Sequence, residues 1–119
     1  MFRILATAVA SLTALMSLST TASGQAYPDR PVHIVVGFGV GGPDTTARLL
    51  AAQLTAQTGK RFLVDNKPGS SGVIAAEFVS KATPDGYTLL VAPASLASLP
   101  SLRKKLSFDV LKSFTPITQ

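Results

Sequence analysis

VHIVVGFGVGGPD, residues 32–44 of the chain, is the stretch that decides the fold. Its first five residues are β-branched except for His33, and proline and glycine bound them. That composition predicts a short buried strand from Val32 to Val36. Residues 37–43 then form a glycine-rich loop, which is typical of the turn that leads from a parallel strand into a helix.

A helix is predicted to follow this loop, from Asp44 to about Thr58. Pro43 and Asp44 provide its start signals, and Gly59 provides its stop signal. Within the segment, apolar residues recur at helical spacing, namely Ala47, Leu50, Ala51 and Leu54.

The same order of elements repeats downstream. We predict a second strand over Phe62–Val64, a loop rich in glycine and serine over Asp65–Gly72, a helix over Val73–Lys81 and a third strand over Thr88–Val91. Strands and helices that alternate with short connections form right-handed βαβ units. The fold class is therefore α/β, with a parallel sheet and flanking helices.

The last part of the chain has a weaker pattern. Residues 92–101 predict a loop with one helical turn, and Phe114–Thr118 predicts the beginning of a further strand. Three strands and two helices leave sheet edges uncovered, and a core this small is marginal. We therefore expect an incomplete fold, and a truncated product without a stable fold is an alternative hypothesis.

The first 26 residues have the pattern of a cleaved secretory signal peptide. Arg3 supplies the positive charge, Ile4 to Leu18 is mostly apolar, and small residues precede a cleavage point after Ala26. The predicted domain organisation is thus a signal peptide over 1–26 and part of a ligand-binding domain over 27–119. The mature chain is expected in an extracytoplasmic space.

Composition excludes several classes of protein. The chain has no cysteine, which excludes disulfides, thiolate metal sites and a lipid-modified cysteine. Its formal net charge is +5, yet Arg103 to Lys105 is the only basic cluster. We interpret that cluster as a solvated turn, because nucleic-acid binding needs a longer basic stripe with aromatic partners. We predict no nucleic-acid partner, no metal and no cofactor.

The two glycine-rich loops are the candidate binding elements. Ligands of open parallel sheets sit beyond the carboxyl ends of the strands, where residues 37–43, 66–72 and 92–95 emerge. The first two loops lead into helix N-termini, which carry unpaired N–H groups and a partial positive charge. Glycine lets the backbone approach a ligand closely. Together these features predict a site for a carboxylate or a phosphate.

Several polar side chains near these loops have two possible roles. The Asp44 carboxylate is expected to cap its own helix, and contact with a cationic ligand group is the alternative. Hydroxyl groups in the loops can donate to a ligand or serve as local caps. These are the hydroxyls of Thr45, Ser70, Ser71 and Ser95.

A dinucleotide-binding oxidoreductase is the alternative function. Gly37, Gly39 and Gly42 fit the G-x-G-x-x-G pattern, and Asp65 lies where a ribose-binding acid is expected. The signal peptide and the negative charge of Asp44 argue against this function. No nucleophile or acid–base constellation is recognisable in the sequence.

Four segments resemble the tripartite tricarboxylate transporter substrate-binding proteins, also called the Bug family. They are Tyr27-Pro28-Asp29-Arg30-Pro31-Val32-His33-Ile34-Val35-Val36, Gly41-Gly42 with Asp44 and Ala47-Arg48-Leu49-Leu50, Asp65-Asn66-Lys67-Pro68-Gly69-Ser70-Ser71-Gly72, and Pro84-Asp85-Gly86-Tyr87-Thr88-Leu89-Leu90. Residues 106–116 are similar to the segment that follows. The resemblance implies the N-terminal part of a two-domain, periplasmic-binding-protein-like (type II) fold.

The resemblance also implies a function. Such a protein is a monomer that is not an enzyme; it captures a small organic carboxylate and delivers it to membrane transporter subunits. The ligand contacts implied by position are Phe38, Gly39, Val40, Gly41, Gly42, Thr45, Gly69, Ser70, Ser71, Gly72, Val73 and Ser95.

Overall fold

The computed structural model describes residue 24 and residues 26–103 and 105–118. Most of the predicted signal peptide, and Lys104 of the basic cluster, lie outside the described residues. The elements are β1 (Val32–Val36), α1 (Gly42–Thr58), β2 (Phe62–Asn66), α2 (Val73–Ser80), β3 (Thr88–Val91) and α3 (Leu99–Leu102). Short 3₁₀ turns cover Ser70–Gly72 and Ala94–Ser98. The predicted order of strands and helices is confirmed.

The three strands form one parallel sheet with the order β2-β1-β3. The central strand β1 pairs Val36 with Asn66 on one side and with Val91 on the other. All three strands therefore end at the same edge of the sheet. A central strand is covered on both faces, which explains why four of the five β1 residues are hydrophobic and buried.

The helices cover opposite faces of this sheet. Ile34 and Val36 pack with Ala47 and Ala51 of α1. On the other face, Val73 and Ala76 of α2 join a core that contains Leu96, Leu99 and Phe108. Because side chains alternate along a strand, Leu89 and Val91 of β3 pack against the first core and Leu90 packs against the second.

Two details of α1 differ from the prediction. The helix begins at Gly42, with proline in its first turn, because a proline there loses no helical hydrogen bond. Leu50, one of the apolar residues at helical spacing, is 47% exposed and does not join the buried Ala47 and Ala51. The contact with the sheet runs through Ala47 and Ala51, whose small side chains bring the helix close to the strands, so that Leu50 is left at the margin.

The beginning of a further strand predicted at Phe114–Thr118 is wrong, because the structure assigns no strand to residues 114–118. A turn precedes them, in which the Asp109 carboxylate accepts hydrogen bonds from the N–H groups of Leu111 (2.9 Å) and Lys112 (3.1 Å). Among the described residues, no helix is long and apolar enough to cross a membrane.

Candidate functional site

The loops that follow the three strands are in direct contact. A methyl group built on Gly37 would lie 2.7 Å from the Cα of Gly72, so these two backbones touch. A methyl group on Gly72 would lie 3.0 Å from Cγ of Pro93, which belongs to the loop after β3. The structure therefore brings the two glycine-rich loops together at one end of the sheet, with the third loop beside them.

The first loop presents open backbone at the start of α1. Gly39, Gly41 and Gly42 have free space where a side chain would begin. The carbonyl of Gly41 accepts hydrogen bonds from both the N–H (2.8 Å) and the hydroxyl (2.9 Å) of Thr45. Helix geometry leaves the N–H groups of Gly42 and Asp44 without intrahelical acceptors. They can donate to an anion.

The second loop is a strained left-handed turn. Four consecutive residues have positive φ: Gly69 (138°), Ser70 (49°), Ser71 (56°) and Gly72 (89°). The N–H of Gly72 closes the turn by donating to the carbonyl of Gly69 at 3.0 Å. Serine is costly in this region, and such strain concentrates at functional sites. Successive N–H groups in turns of this kind form concavities that bind anions.

The remaining predicted ligand contacts are Val73, Phe38, Val40 and Ser95, and they differ in exposure. Val73 has a buried side chain, and its N–H donates to the Ser70 carbonyl, so that it forms part of the floor of the second loop. Phe38 is half-buried, and its carbonyl accepts a hydrogen bond from Asn66 at 3.0 Å. Val40 is 93% exposed. Ser95 is exposed in the turn just after Pro93.

The prediction that Asp44 caps α1 is wrong. Its carboxylate is buried and accepts hydrogen bonds from Arg48 Nε (2.9 Å) and Asn66 Nδ2 (2.8 Å). The hydrogen bond from Arg48, followed by that from Asn66, holds the pKa of Asp44 below its ordinary value. Its negative charge is therefore neutralised inside the protein, and an anion can approach the helix start.

Asp65, the residue proposed to bind ribose, is paired elsewhere. Its carboxylate Oδ2 lies 2.6 Å from Nδ1 of His33. Within the described ranges, no group of three or more histidine, aspartate or glutamate side chains could hold a metal ion.

Sequence reasoning missed the residues that support the loops. Asn66, Arg48 and Pro93 were not singled out as site residues, although each contacts a loop residue or its immediate neighbour. The available signal was positional: Asn66 lies where the predicted second strand gives way to the second loop, and in the structure it is the last residue of β2.

Comparisons with known proteins relate this chain to one protein family. A family model described as the tripartite tricarboxylate transporter family receptor matches residues 46–119. A UPF0065 protein of Bordetella bronchiseptica is 42% identical over 106 residues, which make up 87% of this chain and 32% of that protein. The chain thus spans about a third of the length of the relatives that it matches.

Solved structures show the same relationship. The periplasmic binding protein BugD is 41% identical, with a TM-score of 0.71 over 76% of this chain and 31% of that chain. MatC from Rhodopseudomonas palustris with bound malate is 38% identical (TM-score 0.64, 76% of this chain and 31% of that chain). A second R. palustris protein, with adipate, is 44% identical (TM-score 0.57, 59% and 24%). Each of these three structures is of a periplasmic binding protein or of a protein that holds a small dicarboxylate.

The Gly37 contact generates a first prediction. Gly37→Ala places a methyl group against the Gly72 backbone, which cannot yield as a side chain can, and should destabilise the protein by about 1–3 kcal/mol. Gly39→Ala, in the same loop but facing open space, is the control and should change stability by less than about 0.5 kcal/mol. Urea unfolding monitored by circular dichroism measures both. Equal midpoints for the two variants would contradict the loop contact.

The strain in the second loop generates another prediction. Ser71→Gly relieves a left-handed conformation that costs serine about 1–3 kcal/mol, while the greater freedom of glycine in the unfolded chain costs about 0.5–1 kcal/mol. The net effect should be a stabilisation of about 1 kcal/mol. The same substitution at Ser80, in the right-handed last turn of α2, should instead destabilise it by about 0.5 kcal/mol. Thermal unfolding of the two variants should shift in opposite directions. A fall in melting temperature for both would show that Ser71 is unstrained.

The environment of Asp44 predicts a pH dependence. Its folded pKa lies below the value of about 3.9 expected for the unfolded chain. Its stabilising effect is thus complete above that unfolded pKa and is lost as the pH falls through the folded pKa. The difference in unfolding free energy between wild type and Asp44→Asn should be largest near pH 7 and shrink below about pH 4. A difference that is constant from pH 7 to pH 3 would contradict this assignment.

Proposed function

Because the chain belongs to the tripartite tricarboxylate transporter receptor family, we propose that it is part of an extracytoplasmic solute-binding protein that captures a small organic carboxylate. The ligand is then passed to the membrane subunits of a tripartite tricarboxylate-type transporter. The observation that carries this proposal is the contact between Gly37 and Gly72, which places two glycine-rich loops at one end of the sheet.

The site suits a carboxylate because it offers backbone N–H donors with little opposing charge. The start of α1 supplies donors and a partial positive charge, and the left-handed turn at 69–72 supplies a second set. Asp44, the acidic residue in the first turn of α1, is neutralised by Arg48. In this proposal one carboxylate of the ligand lies between the loops, and the hydroxyls of Thr45, Ser70, Ser71 and Ser95 surround it.

Relatives support the ligand class. The R. palustris structures contain malate and adipate, which are both aliphatic dicarboxylates. For this chain, we infer a ligand of the same class, without a preferred chain length. The opposing wall of the site, which would set that preference, is proposed to come from sequence equivalent to the remaining two thirds of the relatives. The predicted signal peptide over 1–26 supports a periplasmic location, and we expect a monomer.

Gly42→Val tests the binding site. Gly42 has open space around its Cα, so valine should leave the unliganded fold intact while its side chain blocks approach to the helix start. We expect the affinity for malate or adipate, measured by calorimetry on the full-length protein, to fall at least about tenfold, or about 1.4 kcal/mol.

Ala56→Val is the matched control, since it adds a branched side chain to the exposed surface of the same helix, far from the loops. It should bind like the wild type. Equal affinity of Gly42→Val and Ala56→Val for the ligand would show that the start of α1 does not contact it. Absence of binding by the wild type to malate, adipate and citrate would contradict the proposed ligand class.

A further inference from the structure

The side chain of Asn66 connects the two loops of the candidate site. Its Nδ2 donates one hydrogen bond to the Phe38 carbonyl (3.0 Å) and one to Asp44 Oδ1 (2.8 Å). Its Oδ1 accepts a hydrogen bond from Nη2 of Arg48 at 3.1 Å. Both amide hydrogens and the amide oxygen are therefore used.

The backbone of Asn66 is fixed as firmly as its side chain. Asn66 is the last residue of β2 and pairs with Val36, the last residue of β1. The next N–H, that of Lys67, donates to the Val36 carbonyl at 2.8 Å. The second loop begins immediately after this point, so Asn66 reaches from the base of the second loop to the carbonyl of the first.

The bond to Phe38 determines the direction of a donor in the first loop. The carbonyl of Phe38 and the N–H of Gly39 belong to one planar trans peptide and point in opposite directions. When Asn66 holds this carbonyl, the Gly39 N–H must point away from Asn66. Gly39 itself is exposed, with open space around its Cα.

Hydrogen bonds with Asp44 and Arg48 fix the side chain of Asn66. Asp44 uses one carboxylate oxygen for Asn66 and the other for Arg48, and within the described residues every buried side-chain nitrogen and oxygen has a partner. The two charged residues that flank Asn66 in sequence, Asp65 and Lys67, make their contacts outside the cluster of Asp44, Arg48 and Asn66. The Asp65 carboxylate contacts His33, and the Lys67 ammonium lies 4.1 Å from the centroid of the Phe78 ring.

We propose that Asn66 is a positioning residue, which does not contact the ligand but orients the Phe38–Gly39 peptide and sets the spacing between the two loops. This inference rests on the proposed carboxylate site. An amide is required at this position because a hydrocarbon side chain has no donor, while a carboxylate would oppose both the Phe38 carbonyl and the buried Asp44 charge.

Asn66→Asp tests the inference at constant side-chain size. At pH 7 the variant presents a carboxylate to Asp44 and loses both donors, so the first loop should be released. We expect hydrogen exchange of residues 38–45, normalised for intrinsic rate, to increase at least about tenfold, and the affinity for malate or adipate to fall by a similar factor. Near pH 4–5, two carboxyl groups in contact share a proton. The shared proton restores one donor, and both effects should partly reverse.

Gln53→Glu is the matched control. It makes the same amide-to-carboxylate change on the exposed surface of α1, and we expect wild-type exchange and affinity at every pH. The experiment uses the full-length protein with malate and adipate as probes.

The possible outcomes separate the two hypotheses. If Asn66→Asp raises exchange throughout the sheet, and its affinity does not recover at low pH, the role of Asn66 is structural only and the inference is overturned. Unchanged exchange of residues 38–45 would overturn it as well. If the wild type binds neither malate nor adipate, the proposed ligand class is contradicted, and hydrogen exchange still decides whether Asn66 orients the first loop.

Discussion

The contact between the Gly37 and Gly72 backbones is the constraint on which the rest of the site depends. Two loops that are 35 residues apart in sequence meet there without intervening side chains. A parallel sheet with β1 in the centre brings their strands to a common edge, but only the missing Cβ atoms allow the loops to touch. The donors of both loops can then act on a single small anion.

In the carboxylate site that we propose, no basic side chain is committed to the ligand. Arg48, the cation that contacts the first turn of α1, is paired with the buried Asp44. In that proposal the attraction for an anion comes from backbone N–H groups, whose positions depend on loop conformation. A site of this kind needs rigid loops, which explains why so many contacts support them: the Asn66 amide, Pro93 against Gly72, and the closed turn at 69–72. The positive φ of two serines shows that the tertiary structure imposes this conformation against local preference.

The order of elements could be predicted because it depends on local signals. The β-branched run of β1 and the glycines around α1 are sufficient to indicate a βα unit, and β1 and β3 have their predicted bounds. Errors arose where a residue had more than one possible partner. Asp44 fits an N-cap pattern, yet a network with Asn66, 22 positions away, outcompetes the cap. Residues 114–118 fit a strand pattern as well, but the structure assigns no strand to them.

By itself, the sequence determined the α/β class and the two glycine loops, because periodicity and glycine placement act over a few residues. Its ordered motifs separately carried the resemblance to the tripartite tricarboxylate transporter substrate-binding proteins. Only the tertiary structure decided that Gly37 touches Gly72, that Asp44 is neutralised and that Asn66 joins the loops. Those contacts depend on strand order and register, which bring distant residues within a few ångströms of one another. No pattern within a single segment encodes such distances.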